Sequence, residues 1–260
     1  MQLAEMKWPE VQALSKDTPI VFPIAALEQH GRHLPLFTDS IIVGEIVRRA
    51  AAQIGDRVVF APVLWLGNSD HHLEFSGTLS APWRAYLDVL NGLAENFLYH
   101  GFKRLVFING HGGNDVPCRQ ATYEFRQRHR DRADLLLVMA AYWDLVEPAR
   151  LAGLGMFQAD GHLGGVQGGL SHADEYETSM ILRLAPHLVG EFASLQPVQA
   201  GNPFEPATRA WIMKDRSVHG HLGCPAAATP EKGEKLFNLY TAGVVDLLKR
   251  AVAWNGKDWH

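Results

Sequence analysis

The sequence has little cysteine and no long uninterrupted apolar run. Its 260 residues include two cysteines, Cys118 and Cys224, which are too few for a disulfide framework and lack metal-site spacing. We therefore expect both thiols to be reduced and to take no part in catalysis. No stretch approaches the roughly 18 apolar residues of a membrane span, and the N-terminus has no apolar signal core. These absences predict a cytoplasmic protein that has no membrane partner.

An excess of charge of one sign is also missing. The chain has 24 Lys plus Arg against 28 Asp plus Glu, which gives a net charge of −4. No basic run indicates binding to nucleic acid or to an anionic membrane surface. The composition is therefore typical of a protein whose partner is a small-molecule substrate. The length also fits one large domain, so we expect residues 1–260 to form a single α/β domain.

Short apolar runs alternate with helical patterns along the chain. The runs are bounded by turn or polar residues, as buried strands are, and cover residues 19–27, 58–66, 105–108 and 135–141. Apolar residues at helical spacing predict helices over Ser40–Ile54, from Ala81 to Gly101, from Val116 to Arg130 and from Pro230 onward. Asp39 or Ser40 is the expected cap of the first of these helices, and Thr229 that of the last. The alternation predicts a parallel sheet flanked by helices, with ligands bound at the carboxyl ends of the strands.

The first polar cluster, EQHGRHLPLFTD at residues 28–39, directly follows the first predicted strand. Glu28 and His30 are two residues apart at the end of that strand and so project to the same side. Together with Asp39 they could converge on one divalent cation or two. A lone histidine or aspartate in a loop is more often a surface group or a turn former. Here, however, similar clusters recur along the chain.

Two further clusters carry the same residue types. NGHGGN at 109–114 follows a buried run and offers His111. This motif matches neither the dinucleotide fingerprint nor the P-loop, so a nucleotide-binding module ranks last. HADEYETS at 172–179 offers His172 and Glu177, which face one side only if a helix begins between them or the backbone is irregular there. We interpret Asp174 and Glu175 of this cluster as capping or solvent-exposed.

Two more segments could contribute to a site, one through adjacent histidines and one through a glycine-rich connection. In LGNSDHHLEFSGTLS at 66–80, adjacent histidines on an extended loop would point opposite ways, so we expect at most one to be functional. The connection from Asp144 to Gly169 is rich in glycine and loop-like, which is typical of a lid or a contact surface.

Five sequence blocks together resemble the creatininase, or creatinine amidohydrolase, family. They follow the family's order and spacing over nearly the whole chain: EQHGRHLPLFTD, NSDHHLEFSGTLS, NGHGGN, HADEYETS and GHLGCPAAATPEKGE. The resemblance implies a three-layer α/β/α fold with a mainly parallel central sheet. It also implies a two-metal site and hydrolysis of an amide-type C–N bond. Family members commonly form homo-oligomers, often hexamers, so we expect a homo-oligomer.

The resemblance also implies roles for individual residues. Glu28, His30, Asp39 and His111 match metal ligands, with Asp39 in the bridging position, and Glu177 matches the remaining ligand. We place Glu28 and His111 on one metal, and His30 and Glu177 on the other. His172 matches a catalytic histidine. The residues that we expect at the substrate are His72, Ser76, Gly77, Thr78 and Trp143.

The predicted activity is that of a dinuclear metal-dependent amidohydrolase. A metal-activated water would cleave an amide, cyclic amide or formamide bond, other than a peptide bond, in a small molecule. The ligand set suits two Zn²⁺ or Mn²⁺ ions, and Fe²⁺ also fits. Gly113 and Gly168 replace a glutamate and a tryptophan of the creatinine-degrading branch, so we do not expect creatinine as the substrate. The alternative is a non-catalytic, metal-stabilised binding or scaffold protein of the same fold.

Overall fold

The computed structural model describes residues 1–156 and 171–257. Within these ranges four strands form one sheet: β1 Ile20–Ile24, β2 Val59–Phe60, β3 Arg104–Asn109 and β4 Leu136–Ala141. The helices are α1 Trp8–Ala13, α2 Thr38–Ile54, α3 Trp83–Tyr99, α4 Asp115–Arg128, α5 Pro148–Ala152, α6 Glu175–Leu184, α7 Met213–Arg216 and α8 Pro230–Ala253. Strands and helices thus alternate as the apolar pattern predicts.

The sheet is parallel throughout and has the strand order β2-β1-β3-β4. Successive side chains of β3 point to opposite faces, so Val106 joins one buried cluster while Phe107 joins the other. The first cluster contains buried residues of α2, α6 and α8, and the second contains those of α3 and α4. The three-layer α/β/α prediction is therefore confirmed.

The second strand is shorter than the predicted run 58–66, and two prolines explain why. Pro62 interrupts the run itself and cannot donate a hydrogen bond to a ladder. Pro23 lies in the facing part of β1, where it also lacks an N–H. Pairing resumes at Leu64, whose N–H donates to the Pro23 carbonyl at 2.9 Å. The result is a two-residue strand followed by an isolated contact.

Two helix starts bear on the site. Helix α2 begins at Thr38, earlier than predicted, and neither Asp39 nor Ser40 caps it, because both lie within its first turn. The Asp39 carboxylate is therefore free to face the end of the sheet. Helix α8 begins at Pro230 as predicted, and the Thr229 hydroxyl accepts a hydrogen bond from the Lys232 N–H at 3.3 Å.

Several other predictions from the sequence can be compared with the structure. Cys118 and Cys224 are both free thiols. None of the helices within residues 1–156 and 171–257 is long and apolar enough to cross a membrane. The predicted loop-like connection 144–169 begins with a short turn and helix α5. Its remainder from 157 onward, including Gly168, lies outside the described residues.

Candidate metal centre

Two neighbouring strands position the first two candidate ligands. Ile24 at the end of β1 is paired with Asn109 at the end of β3, so the chain leaves the sheet at adjacent points. Glu28 follows β1 and His111 follows β3, and both are buried. The Asn109 side chain holds the second turn in place: its Oδ1 accepts from the His111 N–H at 3.0 Å, and its Nδ2 donates to the His111 carbonyl at 2.8 Å.

The carboxylate of Asp39 lies between two histidines. Its Oδ1 is 3.0 Å from His30 Nε2, and its Oδ2 is 3.1 Å from His111 Nδ1. Beyond these histidines lie two further carboxylates. Glu28 Oε2 is 3.3 Å from His111 Nε2, and Glu177 Oε2 is 3.7 Å from His30 Nε2. The arrangement is a row of three carboxylates separated by two imidazoles, with Asp39 in the middle.

A backbone turn brings His172 and Glu177 to the same cluster. Ala173 has a φ of +50°, in the left-handed region that L-residues seldom adopt. Asp174 then caps α6, because its Oδ1 accepts from the N–H groups of Tyr176 at 2.8 Å and Glu177 at 3.2 Å. The capping role predicted for Asp174 is confirmed. A solvent-exposed Glu175 is wrong, since that side chain is buried and forms an ion pair with Lys232.

Several combinations of these side chains could hold a cation. Among the described residues, four groups of three have ligand atoms within 4.8 Å of one another: Glu28, His30 and Asp39; Glu28, His71 and His111; Glu28, His72 and His172; His30, His172 and Glu177. The first group is fully buried. The structure thus brings every sequence-predicted ligand into one cluster. It also adds His71, which was not predicted as a ligand.

His71 was passed over because its local structure was misjudged. The expectation that adjacent histidines point opposite ways assumed an extended loop. Asp70–His72 instead forms a 3-10 turn, and the rings of His71 and His72 are 4.3 Å apart. The His71 ring also stacks on that of His111, with centroids 5.8 Å apart and an interplanar angle of 13°. Both histidines therefore face the cluster.

The electrostatics of the cluster favour positive charge. Burial alone would lower the pKa of His111, but Glu28 and Asp39 raise it to about 9. Burial also opposes the charged form of His30, yet Asp39 and Glu177 hold its pKa well above the usual value. For Asp39, the raising effect of burial is outweighed by His30 and His111, which lower the pKa to about 2. Protons on the imidazoles therefore supply the charge that a cation would otherwise bring.

Two buried carboxylate oxygens are better suited to coordinating a metal than to accepting hydrogen bonds from the neighbouring imidazoles. Glu28 Oε2 and Asp39 Oδ2 are buried and accept no hydrogen bond of good geometry among the described residues, although each lies within 3.3 Å of a His111 nitrogen. A buried carboxylate oxygen without a partner is costly, and coordination to a metal removes that cost. Burial raises the pKa of Glu28 to about 7, against the lowering effect of His111. Imidazole and carboxylate donors together suit Zn²⁺, Mn²⁺ or Fe²⁺.

Gln29 sets the hydrogen-bonding state of His72. Its Oε1 accepts from the Gly31 N–H at 2.9 Å, which orients the amide. The Nε2 group then donates to the Gly220 carbonyl at 3.0 Å and to His72 Nδ1 at 2.7 Å. Because His72 Nδ1 accepts, the proton of the neutral ring is on Nε2, which is 3.4 Å from Glu28 Oε1. The Nε2–H of His72 therefore faces the Glu28 carboxylate in this state.

The backbone of Gln29 sets the tautomer of His172. His172 Nε2 lies 2.8 Å from the Gln29 carbonyl, to which it donates, so the lone pair of the neutral ring is on Nδ1. That Nδ1 is 3.5 Å from Glu28 Oε1, on the side of the carboxylates. Burial and the nearby histidines His72 and His30 hold the pKa of His172 well below its usual value. His172 is therefore a neutral base aimed at the cluster.

A cavity of about 740 Å³ opens onto the cluster. Glu28, Asp39, His111, His172 and Glu177 are among the residues of its floor. The lining also includes residues of the segment 200–216, which we call the outer wall. The volume is in the range of sites for drug-sized ligands, so the cavity can hold a substrate with groups beyond the bond that reacts.

Of the five predicted substrate-binding residues, two line the cavity and three do not. His72 and Trp143 both line the cavity. The described lining does not include Ser76, Gly77 or Thr78. Ser76 is exposed, Gly77 lies against Leu36, and the Thr78 hydroxyl accepts from the Gln29 N–H at 3.1 Å. The segment 76–78 thus supports the backbone of Gln29 and is not part of the described cavity lining.

Gly113 leaves no room for a side chain at its position. A Cβ built there would lie 2.2 Å from the Asn68 carbonyl oxygen and 2.5 Å from His111 Nε2. Asn68 also accepts a hydrogen bond from His111 Nε2 at 2.9 Å. The glutamate of the creatinine-degrading branch could therefore enter only if this backbone moved.

Comparison with known proteins identifies relatives of the whole chain. The model of the creatininase family, described as creatinine amidohydrolase, matches residues 4–248. A mycofactocin precursor peptide peptidase of Mycobacterium ulcerans (strain Agy99) is 30% identical over 90% of this chain and 85% of its own. A creatinine amidohydrolase of Pseudomonas putida is 28% identical over 95% of each chain. Similarity thus extends to relatives with different substrates.

Solved structures agree with the sequence comparison. A creatininase crystal structure superposes with a TM-score of 0.81 at 25% identity, and the match covers 98% of both chains. A mutant creatininase of Zn-Zn type and a creatininase designated Mn each have a TM-score of 0.80 at 25% identity. These matches cover 97% of this chain and 98% and 99% of theirs, respectively. The similar structures therefore include both a zinc and a manganese form.

Proposed function

The chain belongs to the creatininase family of hydrolases, and from this premise we propose that it is a dinuclear metal-dependent amidohydrolase. The observation that carries the proposal is the position of Asp39. Each of its oxygens faces a different histidine, at 3.0 and 3.1 Å, and each histidine has its own second carboxylate. One carboxylate shared by two such groups is what a bridging ligand between two cations requires.

The residues divide into two ligand groups around Asp39. We assign Glu28 and His111 to one cation, and His30 and Glu177 to the other. The ligand types and the zinc and manganese forms of similar structures support Zn²⁺ or Mn²⁺, and Fe²⁺ also suits the ligands. Bound cations of this kind lower the pKa of a water and polarise a carbonyl oxygen.

His172 is our candidate for moving the proton. Its neutral Nδ1 takes a proton as the water oxygen forms a bond to the carbonyl carbon, and gives one to the nitrogen as the C–N bond breaks. The products are a carboxylic acid and an amine. The hydrogen bond from Nε2 to the Gln29 carbonyl keeps the ring in the tautomer that this role needs. His72, through its Nε2–H, faces the carboxylate of Glu28.

The substrate bond is an amide-type C–N bond. The Pseudomonas putida relative supports the sequence-based expectation of a small, non-peptide substrate. The peptide peptidases among the relatives support a peptide bond equally well. Gly113 argues against creatinine itself, since the close contacts around it exclude the glutamate of that branch.

Metal content and chelator sensitivity together test this proposal. Inductively coupled plasma mass spectrometry on protein purified without a metal-affinity tag is expected to find about two metals per chain. A panel of formamides, cyclic amides and dipeptides is expected to include a substrate whose cleavage stops on chelation and returns with metal. Bound metal without cleavage of any compound would favour the metal-stabilised binding protein. No bound metal, even after reconstitution, would overturn both readings.

Assembly and location stay predictions. The resemblance to the family supports a homo-oligomer, with a hexamer as the first expectation, and light scattering coupled to size exclusion measures it. The cytoplasmic location also stays a prediction, which the free thiols of Cys118 and Cys224 support.

A further inference from the structure

The outer wall of the cavity contains two arginines, Arg216 and the exposed Arg209, and Arg216 has unused hydrogen-bonding capacity. Arg216 is the last residue of α7 and is half-buried. Its Nη2 donates to the Ala200 carbonyl at 3.4 Å, and its Cζ lies 4.5 Å from the centre of the Trp211 ring. A guanidinium has five N–H donors, so a single long hydrogen bond leaves most of them open.

Arg216 also has no countercharge in the described part of the chain. No carboxylate oxygen of residues 1–156 and 171–257 lies within 4.0 Å of its nitrogens. Arg49 shows the usual arrangement for a partly buried arginine here, because it pairs with both Glu45 at 2.7 Å and Glu234 at 2.9 Å. Burial lowers the pKa of Arg216 without an acidic neighbour to offset it.

The position of Arg216 links it to the reaction site. Its supporting ring, Trp211, packs edge-on against His71 with centroids 5.1 Å apart. His71 in turn stacks on His111. Arg216, Trp211 and four of the five candidate ligands, all except His30, line the same cavity. A substrate that presents its amide to the floor can therefore reach the guanidinium with another group.

The chemistry of the wall favours a carboxylate as that group. The planar fork of a guanidinium matches the two oxygens of a carboxylate, and the pair of charges compensates for the desolvation of each. Glu205, Asp215 and Arg209 also line the cavity, so the wall has two carboxylates against two guanidinium groups, a balance that suits a monoanion better than a dianion such as a phosphate ester. A monoanion is thus the better match.

We infer that Arg216 determines specificity by binding a carboxylate on the amide substrate. The inference rests on the proposed function, since it names the class of amide that the metal centre cleaves. The carboxylate can be the C-terminal group of a peptide or the acid of an N-acyl amino acid. These two sources share the same recognition, and a substrate panel separates them.

The test compares acids with their neutral counterparts on the metal-loaded enzyme. The probes are a set of dipeptides and of N-formyl and N-acetyl amino acids, each as the free acid and as the C-terminal carboxamide. We expect the free acids to be cleaved with a kcat/KM at least about tenfold above that of the carboxamides. Arg216→Ala is expected to lower the kcat/KM for the acids by about 10- to 100-fold, mainly through KM, and to leave the carboxamides unchanged.

Two further variants make the result specific. Arg216→Lys keeps the charge but loses the fork, so it should recover only part of the affinity. Arg84→Ala is the matched control, because Arg84 also lies over a tryptophan ring, at 4.3 Å from Trp83, and is not among the residues that line the cavity. It should behave like the wild type. Equal use of acids and carboxamides by the wild type would overturn the inference and leave the hydrolase intact.

A binding measurement covers the case in which no probe is cleaved. That outcome would count against the proposed function, and calorimetric titration with hippurate, a simple N-acyl amino acid, then decides the inference separately. Binding that weakens about tenfold in Arg216→Ala and not in Arg84→Ala would support carboxylate recognition. Hippurate affinity unchanged by Arg216→Ala, or no hippurate binding to the wild type, would overturn it.

Discussion

The floor and the outer wall of the cavity are built in different ways. The floor consists of buried side chains at the ends of β1 and β3 and at the start of α2 and α6, and most of its polar atoms have partners. The outer wall, residues 200–216, is largely exposed, and its Arg216 lacks a counterion among the described residues. From this difference we expect the floor to perform the chemistry that we propose and the wall to select the substrate.

The largest expected effect comes from removing the centre of the floor. In Asp39→Ala, both oxygens that face His30 and His111 are lost, so we expect metal content and hydrolysis to disappear together. Metal analysis and a cleavage assay on the same sample measure this. Asp88→Ala, which removes an exposed acid from α3, is the control and should keep both. An active, metal-free Asp39→Ala enzyme would end the bridging assignment.

Removing the proton carrier should separate metal from turnover. His172→Ala is expected to keep the wild-type metal content while kcat falls by about 10²- to 10⁴-fold. His219→Ala, a change of an exposed histidine, provides the comparison. Loss of metal in His172→Ala would instead identify His172 as a ligand, in the group that it forms with His30 and Glu177.

A smaller effect is expected beneath the floor. Gln29→Leu removes the amide that donates to His72 Nδ1 and to the Gly220 carbonyl. Because partners of this kind orient the groups at a metal site, we expect kcat to fall about 10- to 100-fold with metal content and KM near the wild type. The pH profile of kcat should also shift, since the tautomer of His72 is no longer imposed. Gln53→Leu, at an exposed position of α2, should show none of these changes.

The smallest effect should come from the wall. Trp211→Leu removes the ring beneath Arg216, and loss of a cation–π contact of this exposure corresponds to about a two- to fivefold rise in KM for carboxylate-bearing amides. Metal content and kcat should not change. Trp8→Leu, far more exposed, controls for the loss of an aromatic ring. A fall in metal content would show that the wall also supports His71, and the division between floor and wall would fail.

The floor of the cavity could be predicted from the sequence, whereas the outer wall could not. Buried strands have strong apolar runs, and a polar residue at the end of such a run is conspicuous, so Glu28, His30 and His111 could be found by position alone. Asp39 belongs to the same motif and was a candidate by that argument too, whereas its bridging position and the assignment of Glu177 as a ligand needed the resemblance to a family. The structure brings these five together, and their role as ligands stays a prediction.

Other features depend on contacts that no local pattern contains. Gln29 lies within the first motif, yet its role appears only when His72 and Gly220 meet its side-chain amide and His172 meets its backbone carbonyl, all from distant parts of the chain. The outer wall has no periodic pattern and no motif, so nothing in the sequence singles out Arg216. The run 58–66 was predicted too long because apolar content outweighed its proline.

The pairing of β1 with β3 limits how the candidate metal centre can open. Five consecutive residue pairs, from Ile20 with Leu105 to Ile24 with Asn109, join the two strands that carry Glu28 and His111. Separating these two side chains by moving their strands would break the ladder, at a free energy close to that of global unfolding. Metal exchange should therefore proceed by the departure of individual side chains. The amide protons of Phe107 and Ile108 should be among the slowest to exchange, and metal should slow them further, because it binds the folded state and not the unfolded one.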